Sequence, residues 1–277
     1  MKKKIIWLIL ILSATVCMTF VYQGNADKID KYPVTRVTVI LPHNDAGYWN
    51  LVAEGINEEE DAIGAEYNID ISTMISQLNY NIQQMTDILK RQIAAQTDVI
   101  VVQGNEDPEF LKALREAYDQ GIKIICVDTD VKNFPDHLYI GTDNYKAGQT
   151  IGENLGKLTN GTAKVAVISG ETGYLNLEQR WNGFLDAVKA YPGIEVVDLQ
   201  YDYYDGLTFM HLYQKLHEKA DTLVCLEGTG GSTLSQLYDE PRSEYKYILG
   251  FDIGSEKPGD RRYREAGYES DGTPCSR

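Results

Sequence analysis

From residue 37 onward, short runs of apolar, often β-branched residues alternate with segments whose apolar residues recur every three or four positions. The runs at 37–41, 69–74, 99–103, 122–127, 138–140, 164–169, 194–199, 222–226 and 247–251 predict strands. The segments 48–63, 81–95, 108–120, 145–158, 177–190, 207–219 and 231–238 predict helices between them. Val99-Ile100-Val101-Val102 and Ile124-Ile125-Cys126-Val127 are continuously apolar, as strands covered on both faces must be. Over 48–63, Val52, Ile56 and Ile63 share one stripe while Glu54, Glu58, Glu59 and Glu60 point away. Asp107-Pro108 supplies a capping side chain and then a proline at the first helical position.

Strands alternating with helices of this length predict βαβ units and parallel sheets, an α/β protein. The series divides near Ile140-Gly141-Thr142-Asp143-Asn144, and a second strand–helix series starts at Lys164. The expected organisation is two similar α/β lobes, 34–142 and 143–252, that close by hinge motion on a ligand held between them.

The two ends depart from this pattern. Lys2, Lys3 and Lys4 precede an uncharged run over 5–22, the layout of an export signal, with Gly24 and Ala26 as small residues before a cleavage point at Asp27. The run is also close to the length of a membrane span, so 1–26 reads as a signal peptide or an uncleaved anchor, and the body of the protein is expected outside the cytoplasm. Beyond Asp252, residues 253–277 are rich in Gly, Arg and Glu, with Ile253 and Ala266 the only aliphatic residues, and predict a disordered tail.

The net charge of −15 argues against nucleic acid and anionic membrane surfaces as partners. Cys126 and Cys225 lie within apolar strand patterns, where a buried free thiol is expected. The four histidines are scattered, and no spacing points to a metal site or cofactor. Gly228-Thr229-Gly230-Gly231-Ser232-Thr233 lacks the lysine of a phosphate-binding loop. With no nucleophile motif or triad, a cleft hydrolase has no support beyond the carboxylates themselves.

Those carboxylates sit where ligands of parallel sheets bind, at strand carboxyl ends. Asp128 follows 122–127, Glu227 follows 222–226 and Asp252 follows 247–251; Glu171 and Tyr174 follow 164–169, with Arg180 on the next helix. Asp45 lies in the loop after the first strand, Tyr48 and Trp49 open the first helix, and Tyr204 lies in the Tyr-Asp-Tyr-Tyr-Asp loop before another. Carboxylates accept hydrogen bonds from hydroxyls, a guanidinium donates several in a planar fork, and aromatic rings cover C–H faces. That set suits a polyol.

In order and spacing, Tyr48-Trp49, Asp128, Asp143-Asn144, Gln179-Arg180-Trp181-Asn182-Gly183-Phe184, Tyr204 and Gly250-Phe251-Asp252 resemble the periplasmic sugar-binding proteins of the ribose/galactose type, the substrate-binding components of ABC transporters. The resemblance runs from about Val34 to Asp252. It implies the type I periplasmic binding protein fold, a sugar in the cleft of a monomer, no catalysis, and delivery to an ABC permease. It further implies that Tyr48 and Trp49 stack on the sugar, that Asp128, Arg180 and Asp252 bond its hydroxyls, and that Tyr204 adds a second wall.

Three positions depart from the family pattern: Thr129 where ribose binders usually have Arg, Glu227 where Asn is common, and Asp45-Ala46-Gly47 before the aromatics. Fewer donors and more carboxylates point away from ribose toward another sugar or a partly cationic polyol. The family also continues past Gly-Phe-Asp with segments that complete both lobes, so the second lobe and hinge are expected to be incomplete here, as in a C-terminally truncated chain. The long run over 5–22 supports an alternative role, a membrane-anchored sensing module that presents ligand to a sensor kinase or chemoreceptor.

Overall fold

The computed structural model describes residues 33–43, 48–230, 233 and 245–251 of the 277-residue chain. Strands β1 (Thr35–His43), β2 (Ile69–Asn79), β3 (Val99–Gln103), β4 (Lys123–Val127) and β5 (Leu138–Ile140) form one parallel sheet in the order β2-β1-β3-β4-β5. Strands β6 (Thr162–Ser169), β7 (Gly193–Tyr201), β8 (Thr222–Cys225) and β9 (Tyr247–Leu249) form a second, also parallel, in the order β7-β6-β8-β9. Both sheets thus begin in the middle and grow outward in two directions. Helices α1 (Tyr48–Tyr67), α2 (Ile82–Ala94), α3 (Pro108–Asp119), α4 (Asn144–Leu158), α5 (Leu175–Val188) and α6 (Gly206–His217) cover the faces.

Burial explains why the strands read as continuous apolar runs. In the first lobe, Ile40, Ile100, Val102, Ile124 and Cys126 pack on one side against Leu89, Phe110 and Leu114 of α2 and α3. Val39 and Leu41 pack on the other side against Trp49 and Ala53 of α1. In the second lobe, Val165, Val167 and Val224 meet Ile151, Leu155 and Phe184 of α4 and α5, while Ala166, Ile168 and Leu223 meet Phe209, Leu212 and Leu216 of α6. Asp107 caps its helix as expected, and Asn81, Asp143 and Asp205 do the same for theirs, each accepting a backbone N–H from the first turn that follows.

Helices α4 and α5 cross closely enough for two glycines to be obligatory. A Cβ on Gly183 would stand 2.0 Å from the Tyr145 carbonyl oxygen, and one on Gly148 2.0 Å from that of Arg180. This contact fixes the α5 turn that carries Arg180.

The elements follow the sequence pattern, and the two longest extensions beyond it are at the ends of β2 and α1. Strand β2 continues to Asn79, beyond the predicted end at 74, because Leu41 and His43 of β1 keep pairing with Ile75 and Asn79 although the β2 side chains become polar. Helix α1 continues through Tyr67 to a turn at Asn68, which has φ 57°. Most of the predicted 231–238 helix, with the 1–26 leader and the 253–277 tail, lies outside the described residues.

Candidate functional site

In a sheet of order 2-1-3 the crevice for ligand opens at the carboxyl ends of the two strands where the winding reverses. Here those pairs are β1/β3 in the first sheet and β6/β8 in the second. The two crevices face one another: the Glu106 amide, after β3, donates to the Gly173 carbonyl, after β6, at 2.9 Å. Further bonds join the same edges. Asn79 Nδ2 donates to the Tyr204 carbonyl at 3.0 Å, Asn176 Nδ2 to Asp128 Oδ2 at 3.2 Å, and Lys132 pairs with Glu178.

At the centre of this junction three tyrosines meet. Tyr80, after β2, stacks on Tyr204, after β7, with ring centroids 3.8 Å apart and planes inclined by 21°. Tyr174, after β6, meets both edge-on, at 6.0 Å from Tyr80 and 5.8 Å from Tyr204. Burial raises all three phenol pKa values, so the hydroxyls stay neutral donors and acceptors. Gly170 makes room for this arrangement, since a Cβ there would fall 2.2 Å from Cε1 of Tyr204.

The backbone at these positions is unusual. Tyr80, Asp128, Tyr203 and Tyr204 have φ of 41°, 61°, 56° and 56°, left-handed conformations that a tyrosine adopts at a cost of about 1–2 kcal/mol. Such outliers concentrate at ligand sites, where the surrounding structure holds them. Of the eight non-glycine residues with positive φ among the described residues, Tyr80, Asp128 and Tyr204 lie at this junction.

Asp128 is held as a directed acceptor. Its Oδ2 takes hydrogen bonds from Gln103 Nε2 at 2.8 Å, Thr129 Oγ1 at 2.9 Å and Asn176 Nδ2 at 3.2 Å. Oδ1 makes none among the described residues. Glu171, half-buried at the same junction, has its pKa raised by burial.

Arg180 is buried and fixed on two sides. Its Nε donates to Asn144 Oδ1 at 2.9 Å, its Nη1 to the Leu226 carbonyl at 2.8 Å, and its guanidinium carbon lies 4.2 Å from the centroid of Phe251. Two of its five N–H groups are used in these bonds, and the planar fork is already oriented. Glu227, by contrast, turns both carboxylate oxygens to the backbone amides of Thr229 and Gly230. It neighbours Asp202, whose Oδ1 accepts from the Tyr204 amide at 2.9 Å and whose Oδ2 has no hydrogen-bond partner among the described residues. Burial and the Glu227 carboxylate push the Asp202 pKa up, which favours a proton held at this pair.

The predicted residues therefore fall in different places. Asp128, Arg180 and Tyr204 lie at the junction or on the elements that border it. Tyr48 is 44% exposed at the start of α1, with its ring edge-on to Trp49 at 5.0 Å. Trp49 is 2% exposed in the first-lobe core, and its indole N–H donates to the Tyr80 hydroxyl at 3.2 Å. Its place in the structure is behind Tyr80 rather than on an open surface. Glu227 is a buried cap, and Asp45 and Asp252 lie outside the described residues. Tyr80, Gln103 and Asn176 were not singled out in the sequence; the legible signal for Tyr80 was an aromatic directly after a strand, hidden because β2 is longer than its apolar run.

Residues 37–252 match the family described as the periplasmic binding protein domain. Among solved structures, the chain is similar to GanP, a glucose-galactose binding protein from Geobacillus stearothermophilus, with 27% identity and TM-score 0.71 over 80% of this chain and 79% of that one. It shares its fold with an ABC transporter solute binding protein from Burkholderia graminis in complex with D-arabinose, at 24% identity and TM-score 0.70, covering 82% of this chain and 78% of that one. A D-ribose/D-allose-binding protein of Pseudomonas aeruginosa is 28% identical over 121 residues, 41% of this chain and 37% of that protein's length. Two parallel sheets wound alike, their crevices face to face, and a match across most of the sequence lead to one conclusion: the chain belongs to the periplasmic binding protein family, with the type I fold.

Proposed function

We propose that this protein binds a sugar or related polyol between its lobes, unchanged, and presents the closed form to an ABC-type permease on the outer side of the cytoplasmic membrane. The observation that carries the reading is the Tyr80–Tyr204 stack flanked by Asp128. Rings from the two lobes offer apolar faces to C–H groups, while a pre-oriented carboxylate accepts from hydroxyls. Arg180 is the cation on the second-lobe side, and its remaining N–H groups suit ring or hydroxyl oxygens. No step of chemistry is required of any of these groups.

Calorimetry with a panel of pentoses, hexoses and amino sugars tests the reading, repeated with Asp128→Asn. Saturable binding of one class that weakens in the variant is expected. If no member of the panel binds the folded protein, the reading fails.

The length of the apolar run over 5–22 also favours a second reading, an anchored module that presents the ligand to a sensor kinase or chemoreceptor. Intact mass of the native protein separates them, because loss of residues 1–26 removes the anchor.

A further inference from the structure

We propose that Cys126, Asp130 and His137 form a binding site for a thiophilic divalent cation of the zinc type. Cys126 Sγ, a carboxylate oxygen of Asp130 and an imidazole nitrogen of His137 all lie within 4.8 Å of one another. Tetrahedral zinc, with bonds of about 2.0–2.3 Å, sets its ligand atoms about 3.4 Å apart, so the Nε2–Asp130 Oδ1 pair, now 2.6 Å apart, must open by a small side-chain rotation to admit the ion.

The surroundings already orient the donors. His137 Nδ1 faces the Pro135 carbonyl oxygen at 2.8 Å; a carbonyl only accepts, so Nδ1 carries the proton. Nε2 is thereby aimed at Asp130, 2.6 Å away. A backbone carbonyl on the far nitrogen is the usual support of a metal-bound histidine. The Val131 amide, donating to Asp130 Oδ1 at 2.8 Å, fixes the carboxylate in the same way.

Charge and access also fit. A thiolate and a carboxylate balance a divalent cation, with imidazole as the neutral third ligand. Cys126 is fully buried, whereas the side chains of His137 and Asp130 are 13% and 31% exposed, which leaves an entry path and a position for water. Binding forms metal–sulfur, metal–oxygen and metal–nitrogen bonds, and releases to solvent the thiol proton and the proton held between Nε2 and Asp130.

The cation would clip the end of β4 to the residue just before β5. These strands pair Ile125 with Leu138 and Cys126 with Tyr139, and Asp130 lies two residues beyond Asp128. It would therefore brace the wall that presents Asp128, without itself touching ligand.

Cobalt(II) is the probe, added to the reduced, untagged protein and followed by its thiolate charge-transfer absorption, with zinc as competitor. One equivalent is expected to give the band, and zinc to abolish it. Cys126→Ser should remove the band, and His137→Gln should weaken cobalt binding by about 100-fold or more, with both variants checked for folding by circular dichroism. Absence of the band in the parent protein would leave an imidazolium–carboxylate pair beside a buried thiol, and overturn the proposal. So would a band that survives Cys126→Ser, because the metal would then sit elsewhere.

Discussion

Tyr80 and Tyr204 come from opposite lobes and stack face to face, their ring centroids 3.8 Å apart. A sugar ring can enter this stack only if the phenols part by about one further contact distance, roughly 3.5 Å. Each would then cover one face of the ligand. Tyr80→Ala and Tyr204→Ala should each weaken binding by about 1 kcal/mol, some fivefold, whereas Tyr80→Phe, which keeps the ring, should stay near the parent. Calorimetry on the three variants checks this, and equal losses for Phe and Ala at position 80 would contradict it.

Trp49 is a different case, because it stands behind Tyr80 in the core. Trp49→Ala should destabilise the protein by about 3–5 kcal/mol, seen as a lower urea midpoint before any ligand is added. Trp49→Phe should fold well, yet lose the indole bond that steadies the Tyr80 hydroxyl.

Gly183 tests how strictly Arg180 is placed. A methyl group there would meet the Tyr145 carbonyl oxygen, so Gly183→Ala should push α5 away from α4 at a cost of about 1–3 kcal/mol. Binding should weaken with it, since the bonds of Arg180 to Asn144 and Leu226 depend on that crossing. A variant as stable as its parent would show the helices to be further apart.

Asp202 predicts a dependence on pH. Its carboxyl pKa is raised in the fold above the ordinary 3.8 by burial and the Glu227 carboxylate, so above pH 3.8 the folded chain holds more protons than the unfolded chain. The stability from this group is complete below about pH 3.8 and declines as pH rises from there toward the raised folded value, by at most about 1.4 kcal/mol per pH unit. Asp202→Asn should flatten that decline in urea denaturation series between about pH 5 and 8. Parallel curves for the two proteins would show that the carboxyl is ionised in the fold.

Lys132 and Glu178 clasp the lobes at the rim, with side chains 44% and 43% exposed. Such a pair contributes at most about 1 kcal/mol and is screened by salt. Lys132→Met should therefore reduce affinity less than about fivefold, and the difference from the parent should vanish in about 1 M salt. A larger loss that salt leaves untouched would assign Lys132 to the ligand itself.

Much of the fold was legible because buried parallel strands leave a strong mark. Val99-Ile100-Val101-Val102 is apolar on both faces since α2 and α3 cover one side and α1 the other. Asp107-Pro108 announced its helix through a cap that depends on adjacent residues alone. Strand β2 extends past its predicted end for the converse reason: Ser76, Gln77 and Asn79 break its apolar run, and the pairing of this end with β1 is a long-range fact.

Local order along the chain by itself determined that this is an α/β protein of two strand–helix series, that Asp128 and Tyr204 follow strand ends, and that Arg180 sits on the helix after one. It could not rank the aromatics, because whether a ring at a helix start faces solvent, ligand or core depends on what packs against it. Only the tertiary structure buried Trp49, turned the Glu227 oxygens to its own backbone, and brought Tyr80 across the junction onto Tyr204, 124 residues further along the chain. Strand ends are set by short-range pattern, whereas the pairing of two rings from separate lobes is set by how the sheets meet, which no short window of residues encodes.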